Sequence, residues 1–373
     1  MNNSINTNPK IKFWTVFLPG GDIHLAKDVG EIPINLATKY NYESHIVGCN
    51  FKEKESNIPF FSIHKINRHF NSYVLSGIPF FFKMAKKIDI LNLYHTNRRV
   101  WIHASLYKFL NKKGKIYIKL DSGLETCDRI DNDSQYRFYF LRCLDMADLI
   151  TIESEAAKNR LIKYDQKNKI KIIPNGFSET GYKEPQKEEK QKYILTVGNL
   201  CHDPKASDLL IQAFHKSKCY DYGWKLVLVG MMDENFEKFY NTYLNEYPDL
   251  KKHIIYKGFI DNRAEINNLY RNASIFILPS YKENFSLAAC EALSNGCFLI
   301  LSDNVTPYKE LTNNKKFGLV FKTGNIDSLT QAIKEASNHY NSITTDHIIQ
   351  YAKNKFSWSQ IIPQIDAAIK DIL

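Results

Sequence analysis

The chain contains 373 residues, of which 44% are hydrophobic and 24% charged. These values are typical of globular proteins and exclude disordered chains, collagen and small disulfide scaffolds. The net charge of +10 is unevenly distributed, because residues 1–180 carry 27 basic and 18 acidic side chains whereas residues 181–373 are nearly neutral. Residues 51–120 alone carry 14 basic and three acidic side chains, which indicates an anionic partner for this half of the chain.

Neither the cysteines nor the N-terminal residues show the pattern of a metal site or a signal peptide. The seven cysteines show no CxxC spacing, which favours buried, reduced thiols over a zinc or redox motif. The polar N-terminal residues lack the apolar core of a signal peptide, and no apolar run approaches the ~18 residues that span a bilayer. We therefore expect a cytoplasmic protein that is soluble or contacts the inner face of the membrane peripherally.

Short apolar runs rich in β-branched and aromatic residues alternate with amphipathic segments, which predicts strands joined by helices. The predicted strands are, in chain order, Phe13–Leu18, Ser44–Gly48, Ile88–Leu93, Lys115–Leu120, Leu149–Ile152, Ile170–Ile173, Tyr193–Val197, Lys225–Val229, Ile254–Tyr256, Ile275–Leu278, Phe298–Leu301 and Gly318–Phe321. Between them, Ser207–Phe214 has apolar residues at helical spacing. Such alternation predicts an α/β fold with doubly wound parallel sheets.

One polar and charged segment interrupts this alternation. Residues 179–192 have almost nothing to bury, and we interpret them as a linker. The linker separates two Rossmann-like domains, residues 1–178 and 193–357, and a C-terminal helix at about 358–373 is expected to pack back onto the first domain. Open α/β sheets bind ligands at the carboxyl ends of their strands, so the loops that follow the strands should carry the chemistry.

The loop after the strand that ends near Pro279 is the most informative. A helix predicted to begin just after Glu283 would present backbone N–H groups that suit a phosphate, and Glu291 would lie ~12 Å further along its axis. The two carboxylates would then suit hydroxyls at opposite ends of a nucleotide-diphosphate sugar. The alternative is that Glu283 caps the helix and Glu291 is solvated. The N–H groups in question belong to Asn284, Phe285, Ser286 and Leu287.

Two further loops contain glycines after a predicted strand. Gly198 permits close approach of the backbone, and Lys205, just ahead of the next helix, would neutralise a phosphate unless it is simply solvated. Gly20 and Gly21 follow the first predicted strand, where their N–H groups would face a diphosphate. A tight turn without a ligand explains these two glycines nearly as well.

In this order and spacing, the segments resemble the retaining glycosyltransferases of family four, which have the GT-B fold. That fold consists of two Rossmann-like, doubly wound domains facing a central cleft, and the resemblance covers nearly the whole chain. Its markers are the pair Glu283–Glu291, the strand end Val197-Gly198 followed by Lys205, and the runs Ala147–Ser154, Ile172–Phe177, Ser302–Glu310, Gly318–Val320 and Phe356–Trp358.

The resemblance implies a donor site mainly in the C-terminal domain. A nucleotide-diphosphate sugar would be the co-substrate, with no separate cofactor and no metal. Glu291 would bind the ribose hydroxyls, Glu283 the sugar hydroxyls and Lys205 the diphosphate leaving group, beside Gly198, Asn199 and the backbone of residues 284–287. The reaction would retain the anomeric configuration. The acceptor would be a glycan or lipid-linked glycan of a bacterial surface polysaccharide, such as lipopolysaccharide or capsule.

Two positions depart from the family pattern. Asn199 stands where the family often has an arginine, which removes one cation from the phosphate loop. Leu120 stands where the family often has a histidine, although the adjacent Asp121 remains and would accept or orient the proton of the acceptor hydroxyl, unless it caps a helix or turn. His95, after the strand Ile88–Leu93, is a further candidate. These departures keep one alternative open, a catalytically silent GT-B subunit or glycan-binding protein. A nucleotide-sugar epimerase is a second alternative, against which the pair Glu283–Glu291 together with Lys205 favours transfer.

Aromatic and basic residues are interleaved in residues 59–87. A nucleic-acid surface would show a recognisable motif, and none is present, so nucleic acid is not expected as a partner. A solvated lysine-rich face over core aromatics remains one interpretation. The other is peripheral contact with an anionic membrane surface through the basic N-terminal domain, which would suit a lipid-linked acceptor.

Overall fold

The computed structural model describes residues 11–52, 56–178, 190–339 and 344–373. The chain divides into two compact units, here called unit 1 and unit 2. Unit 1 comprises Met1–Ser178 with Trp358–Leu373, and unit 2 comprises Glu179–Ser357. Most of the linker predicted at 179–192 lies outside the described residues.

Unit 1 is built on a parallel sheet that has seven strands within the described residues, in the order β3-β2-β1-β4-β5-β6-β7. The strand order reverses between β1 and β4, which makes this the topological switch point where such sheets bind ligands. The strands are β1 Lys12–Val16, β2 Glu43–Gly48, β3 Phe61–Lys65, β4 Ile90–Tyr94, β5 Lys115–Lys119, β6 Leu149–Ile152 and β7 Ile170–Ile172. The helices are α1 Asp28–Tyr40, α2 Tyr73–Met84, α3 Arg98–Leu110, α4 Leu124–Asn132, α5 Ser134–Met146 and α6 Glu155–Leu161, with the C-terminal helix described below.

Unit 2 repeats the plan with a parallel sheet in the order β10-β9-β8-β11-β12-β13, again for the described residues. Every residue of its central strand β11 is buried, as expected where helices cover both faces of a parallel sheet. The strands are β8 Gln191–Val197, β9 Lys225–Val229, β10 Ile254–Tyr256, β11 Ala273–Leu278, β12 Phe298–Ser302 and β13 Gly318–Phe321. The helices are α7 Ser207–Ser217, α8 Glu234–Glu246, α9 Arg263–Asn272, α10 Leu287–Ser294, α11 Tyr308–Leu311, α12 Ile326–His339 and α13 Thr344–Phe356.

The last helix of the chain, α14 (Trp358–Lys370), packs within unit 1. Its apolar side chains, including the fully buried Trp358, join a core cluster with Phe13 of β1 and Leu36 of α1. At the same interface the buried Tyr42 hydroxyl donates a hydrogen bond of 2.8 Å to Asp366. The chain therefore returns to its first unit after completing the second.

Two sequence-based assignments were wrong in detail. The strand β3 was not predicted, because its residues Phe61–Lys65 were interpreted only as part of the aromatic, basic stretch. The polar segment 179–192 also extends too far, since β8 begins at Gln191. Just before it, the Lys190 ammonium donates to the carbonyl oxygens of Tyr270, Ala273 and Asn295 at 3.2, 2.8 and 2.6 Å. Lys190 is thus anchored into unit 2 rather than solvated.

The seven cysteines are all buried and unpaired, as the sequence predicted. Within the described residues, no helix is long and apolar enough to cross a membrane. In the same part of the chain, no group of three or more His, Cys, Asp or Glu side chains is arranged to hold a metal ion.

Candidate functional site

The clearest constellation lies at the carboxyl edge of the unit 2 sheet. Lys205, in the loop between β8 and α7, and Glu283, in the loop between β11 and α10, form an ion pair with 2.5 Å between Nζ and Oε2. The two loops are also joined through the backbone, because the N–H of Tyr281 donates to the carbonyl oxygen of Pro204 at 2.8 Å. The exposed fractions of the Lys205 and Glu283 side chains are 29% and 16%, so both remain within reach of a ligand.

The helix that follows Glu283 begins later than its sequence suggested. Leu287 is its first residue, and Ser286 caps it by accepting a hydrogen bond from the N–H of Ala289 at 3.2 Å. Serine is a favoured N-cap residue, and this signal was available in the sequence. Glu283 therefore does not cap the helix, and the ~12 Å rise calculated for a helix starting at residue 284 does not apply to Glu283 and Glu291. Asn284 and Phe285 lie in the loop, ahead of the cap.

Glu291 lies on α10 and is not solvated, because only 16% of its side chain is exposed. One of its oxygens accepts a hydrogen bond of 2.6 Å from Nη2 of Arg263, the first residue of α9. Its charge also acts on Tyr270, whose pKa is raised well above the usual value by burial and then by the Glu291 carboxylate. Arg263 and Tyr270 were not predicted as site residues, since nothing in their sequence spacing indicates a contact with residue 291.

Three glycines with positive φ follow strands β8, β9 and β10 at the carboxyl edge of the unit 2 sheet. They are Gly198 after β8 (φ 147°), Gly230 after β9 (φ 139°) and Gly258 after β10 (φ 67°). A Cβ atom on Gly230 would lie 1.7 Å from the carbonyl oxygen of Gly198, so the two loops touch through bare backbone. The position of Gly198 itself is open, and Asn199 beside it is exposed. Gly230 therefore approaches the backbone of Gly198 closely. The other side of Gly198 is open, so a ligand could also approach its backbone.

The two glycines that follow β1 in unit 1 already use their backbone N–H groups in hydrogen bonds within the protein. The N–H of Gly20 donates to the carbonyl oxygen of Phe17 at 2.7 Å, and the N–H of Gly21 donates to Nδ1 of His24 at 3.2 Å. A Cβ atom on either glycine would lie under 3.0 Å from a backbone oxygen, of Phe17 or Asn50. The geometry favours the tight turn over a diphosphate cradle for Gly20 and Gly21.

His95 and Asp121 follow β4 and β5, near the switch point of the unit 1 sheet. Both have positive φ, 66° and 46°, which is uncommon for residues with a side chain and is frequent at functional sites. The N-cap of α4 is Gly123, so Asp121 is not a helix cap. His95 is held to β5, because its N–H donates to the carbonyl oxygen of Lys119 at 2.9 Å.

Buried charges surround Asp121 at this edge. The Lys119 ammonium and the Glu153 carboxylate are both 1% exposed and form an ion pair of 2.8 Å. Burial opposes the charge on Lys119, but Glu153, Tyr117 and Asp28 together outweigh burial and raise the pKa of Lys119. Asp28, the first residue of α1, is also buried, and its Oδ2 has no hydrogen-bond partner among the described residues. Burial raises the pKa of Asp28 to about 7; Lys119 opposes the shift, while Asp121 and Glu153 add to it.

The family resemblance is confirmed by comparison with known proteins. Residues 178–355, slightly less than half of the chain, match the sequence profile of the family described as glycosyl transferases group 1. A glycogen synthase from Fusobacterium nucleatum is 27% identical over 220 residues, covering 53% of this chain and 46% of the relative. A GDP-mannose:cellobiosyl-diphosphopolyprenol alpha-mannosyltransferase from Komagataeibacter xylinus is 27% identical over 186 residues, covering 48% of this chain and 44% of the relative. The chain thus spans less than half the length of these curated relatives.

Solved structures confirm the fold predicted from the sequence. Sucrose-phosphate synthase from Thermosynechococcus elongatus has a TM-score of 0.73 and 16% identity, with 97% of this chain and 99% of that chain covered. Anabaena HepE, solved in complex with UDP, has a TM-score of 0.74 and 15% identity, with 97% and 100% covered. The chain therefore has two Rossmann-like domains of the GT-B type, each with a parallel sheet.

Proposed function

We propose that the protein is a retaining glycosyltransferase that transfers a sugar from a nucleotide-diphosphate sugar to a glycan or lipid-linked glycan, in the assembly of a bacterial surface polysaccharide. The observation that carries the proposal is the contact between Lys205 and Glu283, at the carboxyl edge of the segment that matches the family. Two relatives support the chemistry, since they are named as an alpha-mannosyltransferase with a diphosphopolyprenol acceptor and a poly(glycerol-phosphate) alpha-glucosyltransferase.

In this mechanism Lys205 stabilises the departing nucleoside diphosphate, because negative charge develops there as the glycosidic bond breaks. Glu283 holds Lys205 in place before the donor binds and then accepts hydrogen bonds from hydroxyls of the sugar. Glu291 binds the ribose hydroxyls, and its contact with Arg263 fixes the orientation of the carboxylate. The backbone of residues 284–287 and of Gly198 and Asn199 lines the donor. No metal and no nucleophile from the protein enters this scheme.

On the acceptor side, Asp121 is proposed to orient the attacking hydroxyl or to take its proton. Its position after β5, next to the switch point, and its positive φ support the role. The buried Lys119–Glu153 ion pair fixes the strand end on which Asp121 sits, because the N–H of Ser122 donates to Glu153 at 3.2 Å. These two residues therefore position the loop without touching the substrate.

The first experiment is a set of thermal shifts with UDP, GDP, ADP, CMP and TDP, alone and as their common sugars. A ligand that binds only the folded state raises the melting temperature, so one nucleotide should stand out. Transfer is then measured with the matching donor in Lys205→Ala and Glu283→Gln, each of which should lose about 10²-fold or more in kcat. Lys216→Ala is the matched control, because Lys216 lies on α7 and pairs with Asp327 on the surface. Full activity in both site variants would refute the assignment.

A silent GT-B subunit is the second candidate, favoured by Asn199 at the exposed end of β8 where the family often has an arginine. Such a protein would bind nucleotide sugar without consuming it. Donor turnover, measured in the native sequence and in Asn199→Arg, separates the two functions. A silent subunit would show no donor turnover in the native sequence, whereas an active enzyme turns over donor before and after the change.

Contact with an anionic membrane surface is proposed for the region around α2. Phe70, Leu75 and Phe82 expose 91%, 44% and 66% of their surface, and Lys83, Lys86 and Lys87 are exposed beside them. Exposed aromatic and lysine side chains together suit the boundary of an anionic bilayer. Binding to phosphatidylglycerol vesicles should weaken in Phe82→Ser and remain unchanged in Tyr222→Ser, which alters a similarly exposed aromatic of unit 2. Equal binding of both variants would contradict the proposal.

A further inference from the structure

Two guanidinium groups converge at the carboxyl edge of unit 1. Arg68 follows β3 and Arg99 is the second residue of α3, after β4. Their Cζ atoms lie 4.5 and 5.7 Å from the centre of the same ring, that of Tyr73. Both charges also act on Cys49, just after β2, where they oppose the increase that burial causes in the pKa of the thiol. The cluster therefore joins the ends of β2, β3 and β4.

The positive charge of this cluster is not compensated by the part of the chain that the structure describes. Neither guanidinium forms an ion pair with a carboxylate of the described residues, and Arg68 donates a hydrogen bond of 3.0 Å only to the carbonyl oxygen of Asn71. Arg99 is partly buried, and burial lowers the pKa of its guanidinium. Between residues 56 and 120 the sole acidic side chain is Asp89. It accepts a hydrogen bond from the N–H of Lys12 at the opposite, amino edge of the sheet.

An oxyanion satisfies this arrangement. The Tyr73 ring attracts both cations and fixes each guanidinium beside it. Guanidinium groups bind phosphate through two parallel hydrogen bonds, which a lysine cannot provide. A phosphate monoester carries about −1.5 to −2 charges at neutral pH, which matches two arginines better than the single charge of a carboxylate does.

We propose that Arg68 and Arg99 bind a phosphate group of the acceptor substrate. The inference rests on the proposed function and refines it, because it makes the acceptor a phosphate-bearing or diphosphate-linked glycan. The other half of the same edge carries Asp121, which lies near the buried Asp28 and Glu153 and whose carboxylate repels a phosphate. The acceptor is thereby oriented with its phosphate towards β2–β4 and its reacting hydroxyl towards Asp121. Arg68 and Arg99 act as specificity-determining residues and take no part in the chemical step.

The test uses the full chain and inorganic pyrophosphate as the probe, measured by titration calorimetry. All variants carry Lys205→Ala, so that binding of pyrophosphate in unit 2 is weakened. Arg99→Ala and Arg68→Ala should each raise the dissociation constant about tenfold or more, as expected for loss of charge-assisted hydrogen bonds. Arg98→Ala is the matched control, because this neighbouring arginine is exposed and makes no contact with the Tyr73 ring. Arg99→Lys keeps the charge but loses the two-pronged geometry and should recover only part of the affinity.

Three outcomes would overturn the proposal. Unchanged affinity in Arg99→Ala would remove the site, and an equal loss in Arg98→Ala would reduce it to general electrostatics. If glucuronate binds as tightly as pyrophosphate, the ligand assigned to the two arginines would be a carboxylate rather than a phosphate. The melting temperature of each variant without ligand shows whether it is folded.

A parallel measurement separates an acceptor phosphate from a lipid headgroup. Vesicles of phosphatidylglycerol should bind wild type and Arg99→Ala equally if the phosphate belongs to the acceptor. Loss of vesicle binding in Arg99→Ala alone would assign the arginines to the membrane surface instead and refute the acceptor assignment. Donor binding is followed separately by the nucleotide thermal shift. That shift should persist in Arg99→Ala, so failure of the phosphate site is distinguishable from failure of the proposed transferase activity.

Discussion

Replacing Asp28 by Asn should change how the stability of unit 1 depends on pH. The carboxyl group of Asp28 is buried, and its pKa is raised from the ordinary 3.8 to about 7. Between these values the folded protein holds a proton that the unfolded chain releases. The free energy of unfolding contributed by this group is therefore full below pH 4 and is lost as the pH rises through 7. A shift of about three pKa units corresponds to about 4 kcal/mol.

Asparagine has nearly the same shape and does not titrate. The difference in unfolding free energy between Asp28→Asn and wild type should therefore move by about 4 kcal/mol in favour of the variant from pH 4 to pH 8. Urea denaturation at pH 4, 6 and 8, followed by tryptophan fluorescence, measures this difference. The signal reports mainly on unit 1, because Trp14, Trp101 and Trp358 lie there.

Asp22→Asn is the control for the Asp28 experiment, since Asp22 is an aspartate just ahead of α1 with 42% of its side chain exposed. It should leave the pH dependence of wild type unchanged. If Asp28→Asn and wild type lose stability in parallel as the pH rises, Asp28 is not held protonated, and the account of the charge cluster around Asp121 is refuted.

Three further changes test the packing around the two sites. Glu153→Gln should cost about 3–5 kcal/mol by urea denaturation, because it leaves the buried Lys119 without its partner, and a cost below about 1 kcal/mol would contradict the pairing. Tyr42→Phe should cost about 1.5–3 kcal/mol and loosen α14, which hydrogen exchange of residues 358–370 would detect, whereas unchanged exchange would show that Asp366 does not need this bond. Gly230→Ala should destabilise unit 2 by at least about 1–3 kcal/mol more than Gly258→Ala, since both positions have positive φ but only Gly230 lacks space for a Cβ atom. Equal melting temperatures for the two glycine variants would show that the contact between Gly230 and Gly198 is not tight.

Much of the fold could be predicted because strands of a parallel sheet are buried on both faces. Runs such as Lys225–Val229 and Ala273–Leu278 are therefore nearly continuous in apolar residues and stand out in the sequence. The strand Phe61–Lys65 lies at the edge of its sheet, so it keeps polar side chains that hide it among aromatic and basic neighbours.

Individual residues of the candidate site could be selected from the sequence, but contacts between residues that are distant in sequence could not be predicted. Lys205 and Glu283 were both singled out, each by its place after a strand and before a helix. Arg263 pairs with Glu291 across 28 residues, and Arg68 and Arg99 meet over one ring from different loops. The burial of Asp28 likewise depends on what packs against the start of α1. No local pattern encodes such contacts, which arise only when the sheet order is set.

Because every cysteine is buried, the rate of thiol alkylation can report how often each unit opens. Burial raises the pKa of Cys143 in unit 1 to about 12 and raises that of Cys290 in unit 2 well above its usual value, so neither thiol reacts while its unit is closed. The rate at which each becomes alkylated then measures how often its own unit opens. Mass spectrometry of the two cysteine-containing peptides would resolve the two rates in one sample. Because the native surface presents no thiol, a single cysteine introduced at an exposed position would also carry a label without removing any residue of the core.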